Sequence, residues 1–194
     1  MNIAVILLAA GPSSRMGQPK QLLKIGDESL LGHAIKIMVQ SGLLPVVVLG
    51  AEEEKLRKEI ESHKVHVISN PLWKTGMGSS IKAGINFILE KYLETEAVII
   101  CVCDQPLLST LHLKKLESTC IESGSPIVAS RYGENGGVPA LFHKSMFAEL
   151  GALSDEQGAK KIILQRVGET AWVDFPDGAV DLDTPEDYQA FLGK

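Results

Sequence analysis

The sequence predicts a single α/β domain in three layers, with helices covering both faces of a mostly parallel sheet. Three observations lead there. Short apolar runs rich in β-branched residues alternate with longer amphipathic stretches. The longest of the runs are unbroken by polar residues, as strands buried on both faces require. The chain has 194 residues, 45% hydrophobic and 22% charged, enough to bury one core without a disulfide or metal staple. No repeat and no linker-like stretch divides it, so residues 1–194 read as one domain.

Residues 3–9 form the first strand. The apolar stretch 3–10 is too short to span a bilayer and follows no basic segment, so neither a membrane anchor nor a signal peptide is expected. Amphipathic stretches at 30–41, 52–62, 79–93 and 110–123 predict helices. Strands are expected between and after them at 45–49, 65–69, 97–102 and 126–130. The last third is less regular. It gives a strand near 138–142, a helix near 157–165, a strand at 171–175 and a final helix from Pro185. Thr184 reads as the N-cap of that helix, followed by Pro185 and by Glu186 and Asp187, which suit the helix dipole.

Composition excludes some functions. The net charge is -5 and aromatic residues make up 5%, so neither a basic nucleic-acid face nor a base-stacking platform for single strands is expected. The three cysteines, Cys101, Cys103 and Cys120, are an odd, sparse set that points to a reducing, cytoplasmic setting. Cys101 and Cys103 would face the same side of one strand as small buried hydrophobes. The five histidines show no metal-ligand spacing, and no nucleophile–base pair stands out. Charge is uneven: the first 26 residues hold Arg15, Lys20 and Lys24 and no acid, whereas residues 167–193 hold seven acids and no Lys or Arg.

The most informative segment is Leu8-Ala9-Ala10-Gly11-Pro12-Ser13-Ser14-Arg15-Met16-Gly17-Gln18-Pro19-Lys20. It follows the first strand directly, where parallel sheets bind ligands. Gly11 and Gly17 allow tight turns, Ser13 and Ser14 add hydroxyls, Arg15 can fork onto phosphate oxygens, and Lys20 supplies a point charge. The loop has neither the P-loop nor the dinucleotide-binding glycine pattern. Asp104 follows the apolar run 97–102, at a strand end suited to holding Mg²⁺. Asp181 and Asp183 would share one face of an extended segment. Gly76, Gly78, Ser79 and Ser80 lead into a helix whose N–H groups could receive a base or ribose oxygen, or whose serines could simply cap it.

These residues resemble the molybdenum cofactor cytidylyltransferase family, within the MobA-like nucleotidyltransferases. The resemblance continues through Asn70-Pro71-Leu72-Trp73-Lys74-Thr75-Gly76-Met77-Gly78-Ser79-Ser80-Ile81 and Cys103-Asp104-Gln105-Pro106, and ends at Asp181-Leu182-Asp183-Thr184-Pro185-Glu186-Asp187-Tyr188. It implies a Rossmann-like fold and transfer of CMP from CTP to the phosphate of molybdopterin-bound molybdenum, with release of pyrophosphate. It implies that Arg15, Lys20 and Asp104 are catalytic. The nucleotide would lie against Leu8, Ala9, Ala10, Gly11, Arg15, Lys20, Asn70, Gly76, Ser79 and Ser80. Mg²⁺ would be held by Asp104 and Asp183, with Asp181 the alternative ligand. Gly137, Pro139 and Lys160 would face the phosphorylated pterin acceptor, and a molybdoenzyme would be the client. Lys160 stands where many relatives carry arginine. CTP is preferred because Ala10 stands where guanylyltransferases usually have glycine, and Asn70 where they tend to have a carboxylate. Three other readings stay open: the guanylyltransferase of the same pathway, the cytidylyltransferase of isoprenoid synthesis, and a non-catalytic cofactor carrier.

Overall fold

The computed structural model describes residues 1–133 and 136–193. In chain order its strands are β1 (Ile3–Leu8), β2 (Lys24–Ile25), β3 (Glu28–Ser29), β4 (Leu44–Leu49), β5 (His66–Ser69), β6 (Ala97–Val102), β7 (Ile127–Arg131), β8 (Gly137–His143) and β9 (Thr170–Asp174). The helices are α1 (Leu30–Gln40), α2 (Glu53–Ile60), α3 (Met77–Lys91), α4 (Thr110–Ser123), α5 (Phe147–Gly151), α6 (Lys160–Gln165) and α7 (Pro185–Leu192). Seven strands form one sheet in the order β5-β4-β1-β6-β8-β7-β9, and β2 pairs with β3 in a small hairpin.

The sheet is mostly parallel, as the unbroken apolar runs predict. β1 pairs in parallel with β4 and with β6, β4 with β5, and β7 with β9. β8 runs antiparallel to both its neighbours. Every residue of β1 is buried, and its alternate side chains feed two cores. Val5 and Leu7 pack with α1, α2 and α4 on one face, while Ala4 and Ile6 pack with α3, α5 and α6 on the other. Cys101 and Cys103 both enter the first core, and burial pushes both thiols well above the usual cysteine range.

Helix starts are fixed locally. The Ser29 side chain accepts from Gly32 N at α1, and Ser109 accepts from His112 N at α4. Thr184 and Asp187 form a reciprocal capping box at α7. α3 differs. It begins at Met77, before the two serines, and neither serine caps it; Gly78 N instead donates to the Asp155 carbonyl at 2.7 Å. Three elements escape the hydrophobic pattern or shift against it. The β2–β3 hairpin and α5 are too short to show a period, and α6 starts three residues later than the 157–165 stretch suggests. Among the described residues no helix is long and apolar enough to cross a membrane.

The chain leaves β1 outward to β4 and β5, then returns to place β6 on the other side of β1. This reversal opens a crevice beyond the carboxyl ends of β1 and β6, the usual ligand position in such sheets.

Candidate active site

The loop after β1 is held by Gln21, which is only 2% exposed. Its Nε2 donates to the carbonyls of Ala9 and Gly11 at 3.2 and 3.0 Å, and its Oε1 accepts from Ser13 Oγ at 3.2 Å. Ser13 Oγ in turn accepts from Lys20 N at 3.0 Å. These bonds hold Ser13 at φ 52, a conformation that disfavours residues with a side chain. Sequence reasoning missed Gln21; a glutamine beside a cationic loop gives no signal until the loop closes on it.

Lys20 reaches across to the other end of the sequence. Its Nζ lies 2.6 Å from Asp104 Oδ2 and 2.8 Å from Asp183 Oδ1, while Arg15 Nη2 lies 2.9 Å from Asp183 Oδ2. Burial alone would lower the Lys20 pKa, but the two carboxylates outweigh it and the net shift is upward. The Lys20 hydrogen bond, with help from Arg15, holds the Asp183 carboxyl below its ordinary range. Among the described residues Asp181 makes no such pair. Desolvation and the nearby Asp104 and Asp183 charges push its carboxyl up to about 6. Asp183, rather than Asp181, is the acid that meets Lys20. The segment bearing it is tied to the turn beyond β6 by Leu182 N donating to the Asp104 carbonyl at 3.0 Å.

Two cavities meet at Lys20. A cleft of ≈ 360 Å³ is lined by Leu8, Ala10, Gly11, Gly76, Ser80 and Asp104, together with Trp73 and Met77. A smaller one of ≈ 190 Å³ lies over Gly11, Ser13, Arg15 and Asp183. Gly11, Pro12 and Lys20 border both. A Cβ on Gly11 would meet nothing within 4 Å, so its bare backbone faces open space.

The expected nucleotide residues separate into two sets. Leu8, Ala10, Gly11, Lys20, Gly76 and Ser80 line the larger cleft, and Arg15 lines the smaller. Ala9, Asn70 and Ser79 lie behind the wall: Ala9 N donates to the Val48 carbonyl. The Asn70 amide donates to Ser79 Oγ at 2.8 Å and Ser80 Oγ at 2.9 Å, and its Oδ1 accepts from Leu72 N at 3.0 Å. Asn70 therefore has no free amide edge for a base. The glycines at 76 and 78 also have a steric cause. A Cβ on either would come within 2.3 Å of a backbone oxygen in the segment at 154–155, which crosses the start of α3. On the expected acceptor side, Gly137 and Pro139 are buried in β8, and exposed Lys160 passes beside Gly137. None of the three borders the larger cleft.

The residues present suit a divalent cation. Asp104 Oδ1 is buried without a hydrogen-bond partner, and Asp104 and Asp183 converge as hard oxygen donors. Among the described residues no third His, Cys, Asp or Glu joins them in a metal cluster. Two carboxylates with substrate phosphates are the usual Mg²⁺ arrangement.

A doubly wound sheet with a cationic loop beyond β1 and a carboxylate beyond β6 defines a nucleotide-handling α/β protein. More particularly, the chain belongs to the MobA-like NTP transferase domain family, whose model matches residues 5–170. It is a nucleotidyltransferase of that family. It is 26% identical over 196 residues to the purine catabolism protein PucB of Bacillus subtilis, covering 94% of this chain and 92% of that one. It is 27% identical over 192 residues to a molybdenum cofactor guanylyltransferase of Vibrio parahaemolyticus, covering 96% and 93%. It is 25% identical over 187 residues to the molybdenum cofactor cytidylyltransferase of Escherichia coli, with the same coverage. Its fold is that of Rv0371c from Mycobacterium tuberculosis, with a TM-score of 0.81 at 23% identity over 100% of this chain and 98% of that one.

Proposed function

We propose that the protein transfers CMP from CTP to the phosphate of molybdopterin-bound molybdenum, releasing pyrophosphate. The observation that carries this reading is the convergence of Lys20 and Arg15 with Asp104 and Asp183 where the two cavities meet. An acceptor phosphate oxygen forms a bond to the α-phosphorus of CTP, and the bond from that phosphorus to the leaving oxygen breaks. The acceptor phosphate is already ionised, so no general base is needed. Arg15 and Lys20 hold the triphosphate and offset the charge that gathers on departing pyrophosphate. Asp104 and Asp183 would hold Mg²⁺, which neutralises phosphate charge when bound. The walls of the larger cleft supply alignment, the other main contribution to phosphoryl transfer.

The choice of CTP rests on Ala10, which borders the cleft where a glycine would leave more room for a base. The Asn70 amide is committed to Ser79, Ser80 and Leu72, so it adds nothing to that choice directly. Likeness to both guanylyl- and cytidylyltransferases makes the nucleotide the point to test. With Mg²⁺ and the molybdenum-bearing pterin, CTP should exceed GTP by about 10-fold in kcat/KM, or about 1.4 kcal/mol. Ala10→Gly should shrink that ratio. Pyrophosphate release under direct competition measures it, and a preference for GTP makes the protein a guanylyltransferase instead.

A further inference from the structure

We infer that Trp73 is the surface against which the nucleobase packs, and that Asn70, Ser79 and Gly50 hold it in place. The inference rests on the nucleotidyltransferase reading above. Trp73 lies in a 3-10 turn that enters α3, and that turn is fixed from every side. Trp73 N donates to the Asn70 carbonyl at 3.3 Å, and Gly76 N donates to the Trp73 carbonyl at 3.3 Å. The Leu72 carbonyl accepts from Thr75 N, Thr75 Oγ1 and Ser79 Oγ at 2.9, 2.8 and 3.0 Å. Leu72 N is taken by Asn70 Oδ1. Behind the indole, a Cβ on Gly50 would fall 2.5 Å from Trp73 Cβ, so only glycine leaves room for it.

Core packing does not account for this rigidity. Trp73 is half-buried, belongs to neither core cluster, and borders the larger cleft. The cleft continues through Gly11, Pro12 and Lys20 into the smaller cavity beside Arg15. A phosphate chain on Lys20 and Arg15 thus points its nucleoside toward the indole. The Lys74 ammonium lies over the ring, 5.4 Å from its centroid, and borders the same cleft, so it is the side chain a packed base would displace. Base–aromatic packing tolerates different bases. Trp73 would therefore set affinity for any nucleoside triphosphate, leaving the choice between them to Ala10.

The chain has two tryptophans, so Trp172→Phe leaves Trp73 as the single reporter. CTP and GTP, each with Mg²⁺, should change its fluorescence saturably, while inorganic triphosphate, which has no base, should not. By calorimetry, Trp73→Ala should weaken CTP binding on the order of 10-fold. Trp73→Phe should recover most of the loss, and triphosphate binding should stay constant across the series. Gly50→Ala, which displaces the indole without removing it, should weaken CTP in the same direction. Nucleotide binding with unchanged Trp73 emission overturns the inference. So does an equal loss of triphosphate and CTP binding in Trp73→Ala, which would mean only that the turn collapses. A response to the pterin acceptor alone would assign the indole to the other substrate and also overturn it. If neither nucleotide binds, both readings fail, and pyrophosphate release from the wild type separates that case from failure at Trp73 alone.

Discussion

Lys20 is the group that joins the two carboxylates of the site. It stands between two carboxylates that would otherwise repel each other, and it borders both cavities. Losing a charge-assisted phosphate contact costs on the order of 2–4 kcal/mol of transition-state stabilisation, so Lys20→Ala should slow turnover by roughly 10²-fold or more. Steady-state pyrophosphate release, with circular dichroism to verify folding, measures it; near wild-type turnover removes the loop from the mechanism. Asp104→Asn and Asp183→Asn should each shift the Mg²⁺ dependence of activity. Asp177→Asn should not, because Asp177 lies in an exposed 3-10 turn away from Lys20. Equal Mg²⁺ titrations for all three variants would leave the acidic stretch with no role beyond the surface. His112 offers a test of stability. Desolvation lowers its pKa from 6.5 to about 4, with Lys115 adding to the shift, while Nε2 bonds Ser130 Oγ at 2.7 Å and the ring stacks on Phe175. Between those two pH values the unfolded chain takes up a proton that the folded one refuses, so stability falls as pH drops through that window. His112→Gln should flatten the fall in Tm between pH 7 and about pH 4; an unchanged slope would assign the acid sensitivity elsewhere.

At the scale of elements, what the sequence reveals depends on where each structure gets its stability. Long buried strands and α4 announce themselves because burial imposes a pattern on many residues at once. The cap at Thr184 is equally legible, since capping uses a short local code. The segment from Asn70 to Ser80 is harder. Its residues stand out as a group, yet Asn70 and Ser79 serve the backbone of their own turn rather than the cleft. The glycine at 78 answers to a segment about 75 residues further along the chain, a relation no local pattern contains. That relation is testable. Gly78→Ala places a methyl 2.2 Å from the Ser154 carbonyl oxygen, in the midst of backbone that has no easy way to yield. Overpacking of this kind costs about 1–3 kcal/mol. Thermal unfolding should show a lower Tm even in the absence of any nucleotide. An unchanged Tm would mean that the glycine is required by a ligand and not by its own chain.

Across the whole molecule, the uneven charge of the sequence becomes a single feature. The basic start and the acidic end, far apart in order, face each other across the crevice: Arg15 and Lys20 from one, Asp183 from the other. Asp104, at the middle of the chain, completes the group. The parallel core needed no such long-range knowledge to be foreseen, but the pairing of Lys20 with Asp183 over 163 residues did. That separation orders events in time. All seven strands of the sheet are complete by Asp174, before Asp183 has been added. While the chain is being made, Lys20 can find Asp104 but must wait for its second acid. Of the four charged groups that meet there, Asp183 is the last in the chain and lies beyond every strand of the sheet. On the proposed reading, a growing chain would lack one metal ligand until the segment carrying Asp183 had been synthesised and docked on the turn at Asp104.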